Sequence, residues 1–223
     1  MRMLIMNHVK KSQQVSGLIT QMRDMSIDTL VILSGEQSIQ SGFPERLLDV
    51  SLAQDGISRL YGDNLLVKLQ EAYLDKGVHW QLGWATHTIT ANTHYGIGYL
   101  TRDKSGKHWR RMIGPNVQIE VLDIGANVLC FILVKQVKFV RRAMIQKIHD
   151  LLKAQVKPVI LFVPDVFSSD LTKWGWLNRE LFTQQADYLE WDYDVLCDHS
   201  KVIRVMQSCV LPNKQQGLLF DFK

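Results

Sequence analysis

The opening of the chain constrains the fold most. Met1 to Val9 reads as one buried strand, carried by the apolar run Met3 to Met6. Lys11 to Met25 follows, with Val15, Leu18, Ile19 and Met22 at the spacing of one face of an amphipathic helix. Thr29 to Leu33 (TLVIL) is uncharged and largely β-branched or leucine, the pattern of a second buried strand. Strand, helix and strand with short joints predict a βαβ-like opening whose strands are neighbours.

The rest of the chain extends this into a mixed α and β pattern. Gln37 to Asp63 reads mostly as loop, with a short helix around Glu45 to Leu52. Asn64 then caps a helix running to Asp75, with Leu65, Leu66, Leu69 and Tyr73 on its inner face. His79 to Thr90, Tyr95 to Arg102, Trp109 to Ile113, Val117 to Ile124 and Asn127 to Val137 read as strands. The turn signals between them include Asn92-Thr93-His94 and Gly114-Pro115. Val137 to Ala154 reads as a long amphipathic helix and Pro158 to Val163 as a third buried strand. A helix carrying Trp174 and Trp176 and three short strands complete the chain. Two packed sheets flanked by helices accommodate this order.

Composition narrows the class. A chain of 223 residues with 46% hydrophobic residues suits one large domain, 1–223. The net charge of +4 admits an anionic partner without the strong basic stripe of a dedicated nucleic-acid binder. The three cysteines, Cys130, Cys197 and Cys209, form no CxxC, and buried reduced thiols are the expectation. The apolar start is closed by His8, Lys10 and Lys11, too short for a signal segment, and no run reaches the ~20 apolar residues of a membrane span. A cytoplasmic protein without membrane contact is the expectation. There is no Gly-rich phosphate loop, no GxSxG elbow and no Walker-type lysine.

Several segments, taken in order, resemble the endonuclease/exonuclease/phosphatase superfamily, whose members are DNase I-like. MRMLIMN is similar to that family's first strand, which ends in Asn. DTLVILSGE, Asp28 to Glu36, resembles its strand ending in a metal-binding Glu, and YGIGYLTR resembles its "YGNALLSR" strand. FILVKQVKFVRRAMIQKIHDLL resembles "THL…RxxQ", with Arg142 and Gln146 in matching places. KPVILFVPD is similar to "PVILGGDFN", WDYDVL to "lDyil", and LPNKQQGLLFDF stands where the family has "SDHxPL" and a last strand. The order runs through nearly the whole chain. The resemblance implies a four-layer α/β/β/α sandwich of two mixed sheets flanked by helices. It implies Asn7 and Glu36 as ligands of Mg²⁺ (or Mn²⁺), and Asp165 with Asp192 or Asp194 as surviving catalytic carboxylates.

The departures fall on the catalytic set. The family's "THL" His falls at Val137, the Asn of "GDFN" at Phe167, and "SDH" at Pro212, Asn213 and Lys214. Hydrolysis of a phosphate ester needs a base that titrates near the working pH, a role His normally fills. Lysine, with an unperturbed pKa of ~10.4, is a cation there. Val137 donates nothing to a developing oxyanion, and losing one such donor typically costs about 10²–10³ in rate. One rescue is open: in a shifted register His199 supplies the base and Asp198 the carboxylate. Two functions are therefore carried forward. One is a descendant with little or no hydrolysis that binds a protein or nucleic-acid partner; the other is a metal-dependent phosphodiesterase or nuclease with a rearranged site using His199.

Plain readings stand beside these. Glu36 is also readable as a loop carboxylate, Asn7 as a strand-end residue, Asp165 as a helix cap, and Asp192 with Asp194 as a solvent-facing pair. His87 and His94, in THTITANTH, match no zinc spacing and read as solvated hairpin histidines. The run Arg102, Lys104, Lys107, Arg110 and Arg111 around Trp109 is either a phosphate-binding, base-stacking patch or a solvated hairpin.

Overall fold

The computed structural model describes residues 1–6, 9, 15–38, 60–102, 107–115, 117–124, 127–134, 142–157, 159–164, 193–197, 203–210 and 216–222. Their elements are, in order, β1 (Arg2–Met6), α1 (Val15–Asp24), β2 (Thr29–Ser38), α2 (Leu65–Leu74), β3 (Gln81–Ile89), β4 (Thr93–Thr101), β5 (Lys107–Gly114), β6 (Val117–Ile124), β7 (Asn127–Val134), α3 (Arg142–Lys153), β8 (Val159–Pro164), β9 (Tyr193–Cys197), β10 (Ile203–Val210) and β11 (Gln216–Phe222). The chain divides into two compact units, Met1–Lys104 with Arg204–Lys223, and Ser105–Ile203.

The first unit is built on a six-stranded sheet in the order β10-β11-β1-β2-β4-β3. β1 and β2 run parallel and are joined through α1, the βαβ unit foreseen at the start of the chain. β11 joins the other edge of β1 antiparallel, and β4 the other edge of β2. Alternate residues Leu4, Met6, Leu30 and Ile32 bury against α1 and α2 through Leu18, Met22, Leu66 and Leu69. Met3, Ile5, Val31 and Leu33 point the other way and are buried too. Burial on both faces is why these strands read as unbroken apolar runs rather than alternating ones.

The glycines of the YGIGY segment have a packing role. Trp84 on β3 is fully buried, and its indole spreads across β4 and β2 on the helix-bearing face. A Cβ at Gly96 would stand 2.5 Å from the indole, one at Gly98 2.7 Å and one at Gly35 2.9 Å. Three glycines thus form the bed on which the ring lies, while Trp84 Nε1 donates to Thr86 Oγ1 at 3.0 Å.

The second unit is a five-stranded sheet, β5-β6-β7-β8-β9. It contains another parallel pair, β7 and β8, joined through α3. Ile145, Ile148 and Leu152 of α3 pack on Val121, Cys130, Ile132 and Leu161. On the opposite sheet face Phe131 and Phe162 are register partners and stack with ring centroids 4.6 Å apart. Burial pushes the Cys130 thiol far above its usual range, in line with the buried reduced cysteine expected. Trp109 is half-buried and packs against this core.

Two mixed sheets carrying helices, α1 and α2 on one and α3 on the other, are the α/β architecture expected. Two boundaries differ. β2 runs on through Ser38, so Glu36 is a strand residue, not a loop carboxylate. The β3–β4 turn lies earlier than Asn92-Thr93-His94: Thr90 N and Oγ1 both donate to Thr93 O, at 2.9 and 3.0 Å, and Thr93 and His94 belong to β4. The expected helices at Glu45 to Leu52 and around Trp174 and Trp176 lie outside the described residues. Among the described residues, no helix is long and apolar enough to cross a membrane.

Candidate metal and catalytic site at the strand ends

In parallel α/β arrangements ligands collect at the carboxyl ends of the strands. Here the first such end holds Glu36. The β2–β4 register steps from Ile32↔Gly98 to Gly35↔Gly96, so β2 carries one extra residue between Ile32 and Gly35. That bulge decides where Glu36 points. Strict alternation from Ile32 would put residue 36 on the helix-bearing face. With the extra residue Gly35 and Gln37 take that face, and Glu36 turns to the side of Val31 and Leu33. Glu36 is half-buried, and its carboxylate takes no hydrogen bond or ion pair from a described residue.

The chain leaving β1 is tied to the same place. Met6 pairs with Ile32, and Val9 bridges Gly35. Val9 N donates to Ser34 O at 2.8 Å and Glu36 N to Val9 O at 3.1 Å. These two residues flank Asn7 and His8, which lie outside the described residues. β11 brings a third segment: its Gly217 is the register partner of Met6. The stretch entering β11, with Pro212, Asn213 and Lys214, lies outside the described residues, but the strand it enters starts beside the carboxyl end of β1.

A polar cluster holds the helix-bearing side of this end. Gln37 is fully buried, and its Oε1 accepts from Tyr61 N at 3.1 Å and from Asn64 Nδ2 at 2.9 Å. Asn64 in turn caps α2, its Oδ1 accepting from Leu66 N at 2.9 Å. Asp63 accepts from Ser38 N at 2.8 and 3.0 Å. His94, the partner of Gln37, is 7% exposed and not the solvated histidine expected. Its ring meets Tyr61 edge-on at 5.5 Å, and Nδ1 has no partner among the described residues. Burial pushes its pKa down and favours the neutral ring. The alternation seats His94 on the face opposite Glu36, so the two do not form one acid–base pair. Asn64→Ala should cost about 1–2 kcal/mol, through the lost cap and a lost donor to Gln37. Urea unfolding would report it as a lower midpoint at unchanged slope.

The second unit has its own strand end. β8 and β9 are antiparallel, with Pro164 opposite Tyr193 and Ile160 opposite Cys197. Asp165 directly follows Pro164, and Asp192 directly precedes Tyr193, so the strand ends that carry them are paired. Asp165, Asp192 and His199 themselves lie outside the described residues. Asp194 is the partner of Val163. The chain leaves β9 towards His199 from Cys197, at the Ile160 end of β8 and not the Pro164 end. Among the described residues, no group of three His, Cys, Asp or Glu side chains could hold a metal. Glu36 fits a hard cation as a single oxygen ligand, since Mg²⁺ keeps several waters and needs one or two carboxylates.

No family model and no curated protein matches the sequence. Solved structures do match. An endonuclease/exonuclease/phosphatase family protein from Leptotrichia buccalis C-1013-b superposes with a TM-score of 0.62 at 12% identity, over 100% of this chain and 99% of that one. The chain has the endonuclease/exonuclease/phosphatase fold. An AP endonuclease from Archaeoglobus fulgidus matches with a TM-score of 0.54 at 9% identity, again over 100% and 99%. A DNase I-like fold of this kind fits both βαβ units described above. The residue that sequence reasoning misjudged is His94. Its signal was the pattern HYGIG, where a polar residue abuts a strand whose glycines seat a buried ring.

Proposed function

We propose that this protein is a divergent member of the endonuclease/exonuclease/phosphatase fold group that has lost full hydrolase activity. In this reading it binds a divalent cation, Mg²⁺ or Mn²⁺, through Glu36 and Asn7 and acts by engaging a nucleic-acid or protein partner. The observation that carries it is the pairing of Gly217 with Met6. It supports the resemblance, because β11 starts beside the carboxyl end of β1, and the residue that precedes it in the family's histidine position is Lys214. A lysine there remains protonated at neutral pH unless strongly desolvated, so it attracts a phosphate but accepts no proton from water. Glu36 supports the cation: it is half-buried, turned by a bulge, and bonded to no described side chain. A bound cation would supply charge to polarise a phosphoryl oxygen. Lys214 would hold a phosphate oxygen.

The alternative, a working phosphodiesterase with His199 as base, meets an obstacle in the direction of β9. Cys197 lies four residues down the strand from Tyr193, about 13 Å at ~3.3 Å per residue. A base must reach its proton at about 3 Å or through one water. Calorimetric titration with Mg²⁺, alongside nuclease and phosphatase assays, separates the readings. The expected result is saturable binding by the native protein, none by Glu36→Ala, and negligible turnover by either. Mg²⁺-dependent turnover abolished by His199→Ala would establish the rearranged enzyme instead.

A further inference from the structure

We propose that the groove between α1 and α2 is a second binding site, for a small organic anion with an apolar body and one phosphate or carboxylate group. The groove encloses about 770 Å³, within the ~300–1,000 Å³ usual for small-molecule sites. Its walls are the outer face of α1 and the last turns of α2. Ile19, Ala72 and Val78 give it apolar surface, and Arg23, Lys76 and Arg102 give it three cations. No acidic side chain is among the described residues that line it. Arg23 shares its guanidinium with Asp24, through Nε and Nη2 at 3.1 Å each. Lys76 and Arg102 have no ion pair among the described residues.

Tyr73 is the buried member of this lining: it is only 5% exposed, and its hydroxyl is itself buried. Burial pushes the phenol pKa up, against a smaller opposing pull from Arg102 and Arg23. The phenol is therefore a donor at neutral pH, and both guanidinium groups are near enough to act on it. Trp80 fixes the geometry: its ring lies 5.0 Å from that of Tyr73, and the Arg102 guanidinium sits 4.9 Å above it. A ring-held guanidinium and an ammonium with no ion pair among the described residues, beside apolar walls, match an aryl or alkyl anion. Every residue of this groove lies between Val15 and Arg102, none of them in the Glu36 site.

The probe is phenyl phosphate, titrated into ¹⁵N-labelled protein and followed by amide shifts, with benzoate and the uncharged benzyl alcohol as parallel arms. The expected result is saturable shifts on α1 and α2 with phenyl phosphate or benzoate, none with benzyl alcohol, and none at Glu36. The stronger of the two anions identifies the head group. Arg102→Gln, an exposed change, should weaken binding about tenfold or more. Absence of saturable shifts, equal binding of benzyl alcohol, or undiminished affinity in Arg102→Gln would overturn the proposal.

Discussion

Trp84→Ala is expected to destabilise the protein by about 3–5 kcal/mol, a large share of the 5–15 kcal/mol typical of a folded domain. The ring is fully buried, lies across two neighbouring strands, and is bedded on Gly35, Gly96 and Gly98. The bed itself carries no Cβ, and only Leu66, at Gly98, and Ile32, at Gly35, border it closely, so most of the space should remain as a cavity. Gly96→Ala approaches the same contact from the other side. Its methyl would stand 2.5 Å from the indole and 2.6 Å from the Ala85 carbonyl oxygen. Overpacking of this kind costs about 1–3 kcal/mol or more. The double variant is the decisive measurement. With the indole gone, the methyl at residue 96 keeps its contact with the Ala85 carbonyl but loses the two indole contacts, so the double loss should fall clearly below the sum of the single losses, with a coupling of about 1–2 kcal/mol. Urea unfolding of the four proteins gives the cycle. Strict additivity would mean that the glycines serve the backbone and not the ring.

How much of this was legible follows from which interactions are local. β1, α1 and β2 were readable because Leu18, Ile19 and Met22 repeat at helical spacing between two apolar runs, and period is a property of neighbours in sequence. Asn64 was readable as a cap for the same reason; its side chain reaches only as far as Leu66. The bed of Trp84 was not, since it needs the β2–β4 and β3–β4 registers at once. The face of Glu36 was not either: one extra residue in β2 reverses it, and a bulge is set by pairing with β4 rather than by any residue in SGE. His94 was misjudged because its burial comes from Gln37 and Tyr61, both distant in sequence. The neighbourhood of β11 and β1 joins the two ends of the chain, which no local pattern announces. The fold was recognisable only through the ordered resemblance of many weak segments.

The same pairing leads to the second large effect. If the site is a relic for want of proton-accepting groups, then restoring them should restore chemistry. The double change Val137→His with Lys214→His is expected to raise Mg²⁺-dependent hydrolysis of an activated phosphodiester such as bis(p-nitrophenyl) phosphate by about 10²-fold or more. A histidine at residue 214 would accept a proton from the attacking water in the neutral pH range, where a lysine cannot. A histidine at residue 137 would donate to the developing oxyanion, where a valine cannot. The gain should titrate, rising with pH through the imidazole range, and Glu36→Ala should remove it by taking away the carboxylate that the bulge in β2 turns to the side of Val31 and Leu33. Each single histidine should recover less than the pair if, as the resemblance implies, donor and base serve one transition state. A double variant that binds Mg²⁺ as tightly as the native protein yet hydrolyses no faster would show that the lost step lies elsewhere. Phe167, where the resembling proteins carry an Asn, would then be the next position to change.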